Sequence, residues 1–309
     1  MKVVFCGTPQ FAVPTLQRLV ESGFDVALVV SQPDRPKGRG LELVASPVKL
    51  TAERLAIPVY QPEKIKTNEE LRDKLNRIAP DAIIVVGYGR IIPSWMLQLP
   101  KYGNINLHAS LLPKYRGAAP IQWAIAKGER VTGVTTMRID EGLDTGDILL
   151  QRDLAIAPED TSVTIAPRLA AVGAELMIET LHGLQASSIR QRKQDSSQAT
   201  LAPVLKKDDG KIDFNRSAQE IYNRFRGFQP WPGAFTTFRG KGLNVPAMRP
   251  ASAPVAPGEL LVTGEQVFAG CGDGTAVALL EVQPEGKKKI SVRDFVHGYR
   301  PKTGETLDH

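Results

Sequence analysis

Three polar side chains alternate with apolar ones along one short run of the chain. Asn104, Asn106 and His108 are separated by Ile105 and Leu107. Because successive side chains of a strand point to opposite faces, the three polar groups share one face. Polar groups on a buried strand face cost free energy unless they meet a ligand or each other. A single histidine would indicate a hydrogen-bonded core residue, but the two asparagines beside it favour a binding or catalytic site.

A loop rich in carboxylates is the second chemical signal. Residues 140–147 contain four acidic side chains and two glycines. We expect this loop to end a strand at the same side of the sheet as His108, where the Asp144 carboxylate pairs with the imidazole. Glu141 is expected in a solvated turn. The ligand spacing is not that of an EF-hand, which disfavours calcium.

An Asn, a His and an Asp without a nucleophilic Ser or Cys predict acyl transfer between two bound substrates. The Asn106 amide and the His108 imidazole can donate hydrogen bonds to a developing oxyanion, each worth about 3 to 4 kcal/mol. Asp144 can orient the imidazole and help to move a proton from an attacking amine. The chemistry therefore needs no covalent enzyme intermediate.

Strands that alternate with helices must position these residues. The pattern predicts an α/β fold with a doubly wound, mostly parallel sheet. Gly7-Thr8-Pro9 is not a dinucleotide fingerprint, because Pro9 stands where the second glycine is required. The apolar periodicity predicts strands at 2–6, 25–30, 81–86, 103–108 and 134–139, and helices at 11–20, 68–78 and 161–184, with Pro167 as a kink or a start.

A length of 309 residues favours two domains. We expect a catalytic domain over 1–188, a linker over 189–204 where Ser, Gln, Arg and Ala show no apolar period, and a second domain over 205–309. Short apolar segments between Gly and Pro turns predict a small OB-like β-barrel, led by a helix at 218–225. Trp231, between two prolines, is predicted to be a core anchor.

Charge and cysteine content restrict the class of protein. The net charge is +6, and residues 201–250 carry nine basic and four acidic side chains. Such a region attracts nucleic acid, with a solubilising surface as the alternative. Cys6 and Cys271 are too few for a disulfide framework and too far apart for a metal site. We therefore predict a cytoplasmic protein with no metal, no membrane segment and no obligate protein partner.

The triad of Asn106, His108 and Asp144, with the stretches 110–117 and 140–147, resembles the folate-dependent formyltransferases. Residues 7–9, 32–40, 46–49, 118–123 and 229–234 extend the similarity over the whole chain. The resemblance implies a Rossmann-like catalytic domain and formyl transfer from 10-formyltetrahydrofolate, a co-substrate, to an amine. It further implies initiator methionyl-tRNA as the partner that carries the amine.

Residue roles follow from the same resemblance. It implies that Asn106 and His108 bind the formyl oxygen, while Asp144 tunes His108 and assists proton transfer. Loops with backbone donors and apolar walls suit a flat pterin ring. The implied folate cleft consists of Val86, Gly87, Tyr88, Gly89, Arg90, Ile91, Ile92, Ser110, Leu111, Leu112, Pro113, Asp140, Gly142 and Leu143.

Two basic regions are the implied tRNA contacts. The loop 32–44 is too long and too rich in Pro and Gly for a simple connector, and the resemblance places Arg35, Lys37 and Arg39 against the acceptor end of the tRNA. Leu41-Glu42-Leu43 stand where the family commonly has lysines, which leaves Arg39 as the strongest candidate. The implied contacts in the second domain are Lys206, Lys207, Lys211, Arg224, Arg226, Arg239, Lys241, Lys287, Lys288 and Lys289.

Two other functions fit these residues. The first is the same chemistry on another amine, such as an amino-sugar nucleotide or glycinamide ribonucleotide, although the second domain argues against the glycinamide enzyme. The second is a catalytically silent tRNA-binding protein. The presence of Asn106, His108 and Asp144 together disfavours it.

Overall fold

The computed structural model of the chain describes residues 1–37 and 42–308, so Arg39 lies outside the described residues. The chain divides into two compact units. The first comprises Met1–Pro120, Val131–Ala155 and Ile165–Pro203. The second comprises Ile121–Arg130, Ile156–Thr164 and Val204–His309. The stretches 121–130 and 156–164 therefore belong to the second unit, although segments of the first unit precede and follow each of them in the sequence.

The first unit is built on a sheet of seven strands. The strands of this unit are β1 Lys2–Gly7, β2 Asp25–Val30, β3 Arg35–Lys37, β4 Glu42–Val44, β5 Val59–Tyr60, β6 Ala82–Val86, β7 Asn104–His108, β8 Arg116–Gly117, β9 Val131–Arg138, β10 Ile148–Ala155 and β11 Leu201–Ala202. The sheet order is β10-β9-β7-β6-β1-β2-β5. All of its pairings are parallel except β7 with β9 and β9 with β10. The predicted α/β, doubly wound and mostly parallel fold is confirmed.

Helices and short pairs complete this part of the chain. The helices are α1 Val13–Glu21, α2 Pro47–Arg54, α3 Glu69–Ile78, α4 Ser94–Leu97, α5 Pro120–Ala126 and α6 Ser162–Gln185. Ser46 caps α2 by accepting from the Lys49 amide, and Asn68 caps α3 by accepting from the Leu71 amide. Pro167 lies inside α6. Two pairs lie outside the sheet, β3 antiparallel with β4 and β8 parallel with β11.

The central strands of the first unit are buried on both faces. All five residues of β6 are buried, as are residues 3–7 of β1, because parallel strands are covered on both faces. One core cluster joins these strands to α3 through Leu71 and Leu75. Among the described residues, no helix combines the length and apolar content that crossing a bilayer requires.

The second unit contains an antiparallel barrel. Its remaining elements are α7 Ala218–Gly227, β12 Phe235–Phe238, β13 Lys241–Ala251, β14 Leu260–Thr263, β15 Gln266–Gly270, β16 Ala276–Pro284, β17 Ile290–Ser291, α8 Val292–Tyr299 and β18 Leu307–Asp308. The strand order is β14-β15-β16-β13-β12-β18. The Leu260 amide donates to Glu305 O and the Leu307 amide to Gly258 O, so the two ends of this order are joined. The predicted small antiparallel domain is confirmed.

Two features of the second unit differ from the sequence expectations. Pro246 and Pro250 hide β13 from the apolar pattern, because proline disfavours a central strand; register shifts between Asn244 and Met248 accommodate the chain. The expectation that Trp231 anchors the core is wrong, since 55% of this residue is exposed. The buried Phe228 takes that place and packs edge-on to the Trp123 ring at 5.2 Å.

A capping box begins α7 and gives a stability prediction. The Ser217 hydroxyl accepts from the Glu220 amide, and the Ser217 amide donates to Glu220 Oε2 at 3.0 Å. We expect Ser217→Ala to lower the free energy of unfolding by about 1 kcal/mol at neutral pH. Hydrogen bonds from the Ser217 amide and hydroxyl lower the pKa of the Glu220 carboxyl. Alanine keeps the amide bond, so only the part of the difference that comes from the hydroxyl donating to Glu220 Oε2 is lost as the pH falls through that pKa.

Urea denaturation of the two proteins at several pH values measures this difference. Ser252→Ala is the matched control, because Ser252 is exposed and lies outside any helix or strand. Equal destabilisation by both substitutions, or a difference that stays constant down to acid pH, contradicts the assignment.

Candidate active site

The three polar residues of β7 have separate environments. Asn104 is buried, and its Nδ2 donates to Met96 O at 2.9 Å and to Leu97 O at 3.3 Å, so this side chain holds the end of α4. Asn106 is half-buried, and its side-chain amide makes no hydrogen bond within the part of the chain that the structure describes. His108, 6% exposed, closes the strand. Asn106 and His108 therefore remain as a pair on one face with polar atoms to offer.

The imidazole of His108 is held from both sides. Nε2 lies 2.9 Å from Tyr115 O, and a carbonyl oxygen only accepts, so Nε2 donates the hydrogen bond. Nδ1 lies 3.7 Å from Asp144 Oδ2. The neutral ring therefore carries its lone pair on Nδ1, and a proton that reaches Nδ1 faces the carboxylate. At 3.7 Å from the carboxylate, Nδ1 is beyond hydrogen-bonding distance and is the ring nitrogen without a hydrogen-bond partner among the described residues.

Asp144 reaches His108 by a different route from the one expected. The loop 140–147 does not leave the sheet at the His108 end, because β9 runs antiparallel to β7 and pairs Arg138 with Ile105. The Ile139 amide donates to Asn104 O at 2.9 Å, which places the start of the loop at the opposite end of β7. The expectation that both loops follow the same side of the sheet is wrong for this reason. The loop itself must carry the carboxylate back to the imidazole.

Local hydrogen bonds give the 140–147 loop its shape. Asp140 Oδ1 accepts from the Gly142 amide at 3.0 Å and from Thr145 Oγ1 at 2.7 Å. Asp144 has a φ of 53°, a left-handed conformation that aspartate tolerates better than most residues. A Cβ on Gly146 would come within 1.9 Å of Arg138 O, so only glycine fits there. Asp144 Oδ2 accepts from the Gly117 amide at 2.8 Å, which fixes the carboxylate beside the imidazole.

The loop after β6 contains the first group of predicted folate residues. Val86 is buried and ends the strand, and Gly87 and Gly89 are exposed with φ of 56° and 73°. Tyr88 is buried between them, its carbonyl accepts from Gln32 Nε2 at 2.7 Å, and burial raises the pKa of its phenol. Within the described residues, the Tyr88 hydroxyl and Arg90 Nε have no hydrogen-bond partner.

The apolar residues expected to line this cleft have different burial. Ile91 is 89% exposed and Leu143 is 63% exposed, whereas Ile92 is buried in the core cluster of β1 and β6. Large apolar side chains that project from loops offer contact area to an apolar ligand. The two loops are joined where Ser94 Oγ donates to Glu141 Oε1 at 3.3 Å. This arrangement fits a flat ring bound between the loops.

The loop after His108 contains the second group of predicted folate residues. Ser110 is buried and its hydroxyl donates to Lys114 O at 2.6 Å. Leu112 packs in a small buried cluster with Met137 and Ile148, and the Leu112–Pro113 peptide is cis. Leu111 and Pro113 are half-buried. This loop therefore has a fixed shape against β9 and β10.

Comparison with known proteins identifies the family of the chain. The profile described as "Formyl transferase" matches residues 1–181, which include all three polar residues of the candidate triad. The chain belongs to the formyltransferase family. The profile of the formyl transferase C-terminal domain matches residues 204–300.

Curated relatives match this formyltransferase over nearly its full length. A protein of Koribacter versatilis named methionyl-tRNA formyltransferase is 64% identical over 99% of this chain and 98% of its own length. A protein of Acidobacterium capsulatum with the same name is 61% identical over 96% of both chains. Such identity over both domains extends the relationship beyond the triad.

Solved structures share its fold. The N-formyltransferase of Helicobacter canadensis, solved with folinic acid and dTDP-3-aminofucose, aligns with a TM-score of 0.67 and 20% identity over 92% of this chain and 99% of its own. Phosphoribosylglycinamide formyltransferase of Bacillus halodurans aligns with a TM-score of 0.51 and 27% identity over 61% of this chain and 97% of its own.

The basic residues that were predicted to contact tRNA fall into two groups. Arg239 donates to both Glu305 oxygens, to Tyr299 O and to Arg300 O, so its guanidinium closes the chain around the barrel. Arg224 donates to Asp209 O, and the buried Arg226 donates to Asp160 O and Asn223 Oδ1. Exposed side chains make up the other group: Arg35, Lys206, Lys207, Lys211, Lys241, Lys287, Lys288 and Lys289.

The sequence motifs did not indicate which groups orient the triad. The Tyr115 carbonyl and the Gly117 amide act through the backbone, which a residue pattern does not reveal. Gln194 contacts the Asp144 loop from the segment expected to be a linker. No periodicity or motif marks that glutamine.

Proposed function

We propose that this formyltransferase transfers the formyl group of 10-formyltetrahydrofolate to the α-amine of methionine on initiator methionyl-tRNA. The product is N-formylmethionyl-tRNA, which serves translation initiation in the cytoplasm. The observation that carries the proposal is the methionyl-tRNA formyltransferase of Koribacter versatilis, 64% identical over 99% of this chain. The match of both domain profiles supports it.

The proposed chemistry uses the β7 pair and Asp144. The amine nitrogen bonds to the formyl carbon, and negative charge develops on the formyl oxygen. The Asn106 amide, which has no partner among the described residues, and His108 Nδ1, once protonated, donate hydrogen bonds to that oxygen. The Asp144 carboxylate faces Nδ1 at 3.7 Å and is the negatively charged partner of the imidazolium. The bond from the formyl carbon to folate N10 then breaks, and the proton lost by the amine reaches N10.

Folate is proposed to lie between the 86–92 loop, the 110–113 loop and residues 140–143. The exposed Ile91 and Leu143 side chains supply apolar contact, and the exposed Gly87 and Gly89 leave backbone groups accessible. The Tyr88 and Ile92 side chains are buried and support this loop from the core side.

A single assay tests the substrate assignment. The protein is incubated with 10-formyltetrahydrofolate and methionyl-tRNA, and N-formylmethionine released from the tRNA is quantified by mass spectrometry. We expect turnover with initiator methionyl-tRNA. Parallel reactions contain an amino-sugar nucleotide or glycinamide ribonucleotide as acceptor. Formyl transfer to either small amine without transfer to tRNA overturns the choice of substrate, and binding of tRNA without any transfer supports a silent binding protein.

The exposed basic residues are the proposed tRNA surface. Arg35 is exposed on β3, which ends at Lys37. We propose that Arg35, Lys37 and Arg39 meet the acceptor end. In the second unit we propose Lys206, Lys207, Lys287 and Lys288, which are exposed. Arg239 is left out, because Glu305 and two carbonyl groups already occupy its guanidinium.

Paired alanine substitution tests the lysines that precede α7. We expect Lys206→Ala with Lys207→Ala to weaken initiator and elongator tRNA alike, because phosphate contacts position RNA without reading its sequence. The slope of log K against log salt concentration should decrease by about 0.7 to 0.9 per lost contact. Filter binding at several salt concentrations measures both effects. Lys64→Ala, an exposed lysine of the first unit, is the control. Unchanged binding and slope remove both lysines from the RNA surface.

A further inference from the structure

The segment between the two profile matches runs along the candidate active site. Those matches end at residue 181 and begin again at residue 204. Arg192 and Ile148 exchange backbone hydrogen bonds of 2.8 and 2.9 Å, and Thr200 O accepts from the Arg116 amide at 2.9 Å. β11 pairs with β8, the strand that contains Gly117. Residues 192–202 are therefore fixed to the first unit at both ends.

Near the start of this segment, the side-chain amide of Gln194 makes hydrogen bonds through both its nitrogen and its oxygen. Its Nε2 donates to Asp144 O and to Gly146 O, both at 2.8 Å. Its Oε1 accepts from Arg116 Nε at 3.0 Å and from Arg116 Nη2 at 2.8 Å. A single half-buried side chain thus joins the loop that carries Asp144 to the residue that precedes Gly117.

The topology of the sheet explains why Asp144 needs such support. The 140–147 loop leaves the sheet beside Asn104, four strand residues from His108, a separation of about 13 Å at 3.3 Å per residue. The loop must span this distance and still present one carboxylate oxygen to Nδ1. The Gly117 amide holds the Asp144 side chain, and Gln194 holds its backbone carbonyl. Both anchors meet at Arg116, since Arg116 binds Gln194 and precedes Gly117.

We propose that Gln194 is a positioning residue that sets the Asp144 carboxylate against His108 during formyl transfer. This inference rests on the proposed function, because it assigns the roles of His108 and Asp144 given there. Gln194 acts through Asp144 and Arg116 and touches no substrate. The segment 192–202 then supports the loop that carries Asp144.

Turnover of Gln194→Ala is the first measurement. We expect kcat for formyl transfer to fall about 10- to 30-fold, since a small displacement of a reacting group carries a large rate penalty. The KM values for both substrates should stay within about twofold, because Gln194 touches no substrate. Gln198→Ala is the matched control: Gln198 lies in the same segment, is exposed, and donates only to Asp195. It should match the wild type.

Two further variants separate positioning from a general structural role. Gln194→Glu keeps an acceptor for Arg116 but loses the donors to Asp144 O and Gly146 O, so we expect a loss like that of alanine. In an Asp144→Asn background, Gln194→Ala should cost less than about twofold, because the group it positions is already disabled. A full loss in that background, or wild-type rates for Gln194→Glu, overturns the proposal.

Amide exchange provides a readout without any substrate. The Gly117 amide donates to Asp144 Oδ2, so a displaced Asp144 should raise the exchange rate of this one amide about 10-fold in Gln194→Ala. Unchanged Gly117 exchange overturns the positioning role. If the wild-type protein formylates no methionyl-tRNA, the proposed function fails, while the exchange experiment still decides whether Gln194 holds Asp144.

Discussion

His108→Ala will lower kcat for formyl transfer at least about 100-fold, and the affinity for tRNA will stay nearly unchanged. The imidazole lies at the end of β7 with Nε2 bound to Tyr115 O, so only Nδ1 can act on a substrate. In the proposed mechanism the substitution deletes a donor to the formyl oxygen, and a 100-fold loss corresponds to about 2.7 kcal/mol. Single-turnover kinetics with saturating folate and tRNA measure the chemical step directly.

His182→Ala is the matched control for this substitution. His182 lies in α6 of the first unit, is exposed, and contacts the Phe24 ring. We expect its rate to equal that of the wild type. A comparable loss of tRNA affinity in His108→Ala, measured by filter binding, would show that His108 has a structural role.

Asp144→Asn will also lower kcat at least about 100-fold, although it preserves the size of the side chain. The amide oxygen of asparagine can still accept from the Gly117 amide, but the negative charge 3.7 Å from His108 Nδ1 is lost. The imidazolium that forms during the reaction then lacks its negatively charged partner. Asp153→Asn, an exposed carboxylate on β10, should leave the rate unchanged.

The double variant decides whether the two residues act as one unit. We expect His108→Ala with Asp144→Asn to lose little more than His108→Ala alone, since a carboxylate that acts through an imidazole has no effect without it. Multiplication of the two single losses would instead mean that Asp144 contacts the substrate independently of His108.

The sheet and the shared face of Asn106 and His108 could be predicted because local physics determines them. The apolar runs at β1, β2, β6 and β7 are short and continuous, as expected for strands covered on both faces, and their predicted bounds agree with the structure to within one residue. The alternation of Asn106 and His108 likewise places both on one face without tertiary information.

The path of the Asp144 loop could not be predicted in the same way. The sequence of a strand such as β9 does not reveal whether it lies parallel or antiparallel to its neighbour, and here the antiparallel pairing reversed the expected side. The support from Gln194 depends on contacts between residues 50 positions apart. In a segment without periodicity, the sequence does not reveal which distant residue a polar side chain contacts.

The division of the chain into two interleaved units affects how it can be synthesised and cut. Residues 121–130 and 156–164 belong to the second unit, where Tyr222 donates to Glu159 and Arg226 to Asp160. As the polypeptide leaves the ribosome, these stretches emerge long before their packing partners on α7. A fragment that ends at residue 203 therefore contains two segments without their packing partners, so a single cleavage cannot release the first unit intact.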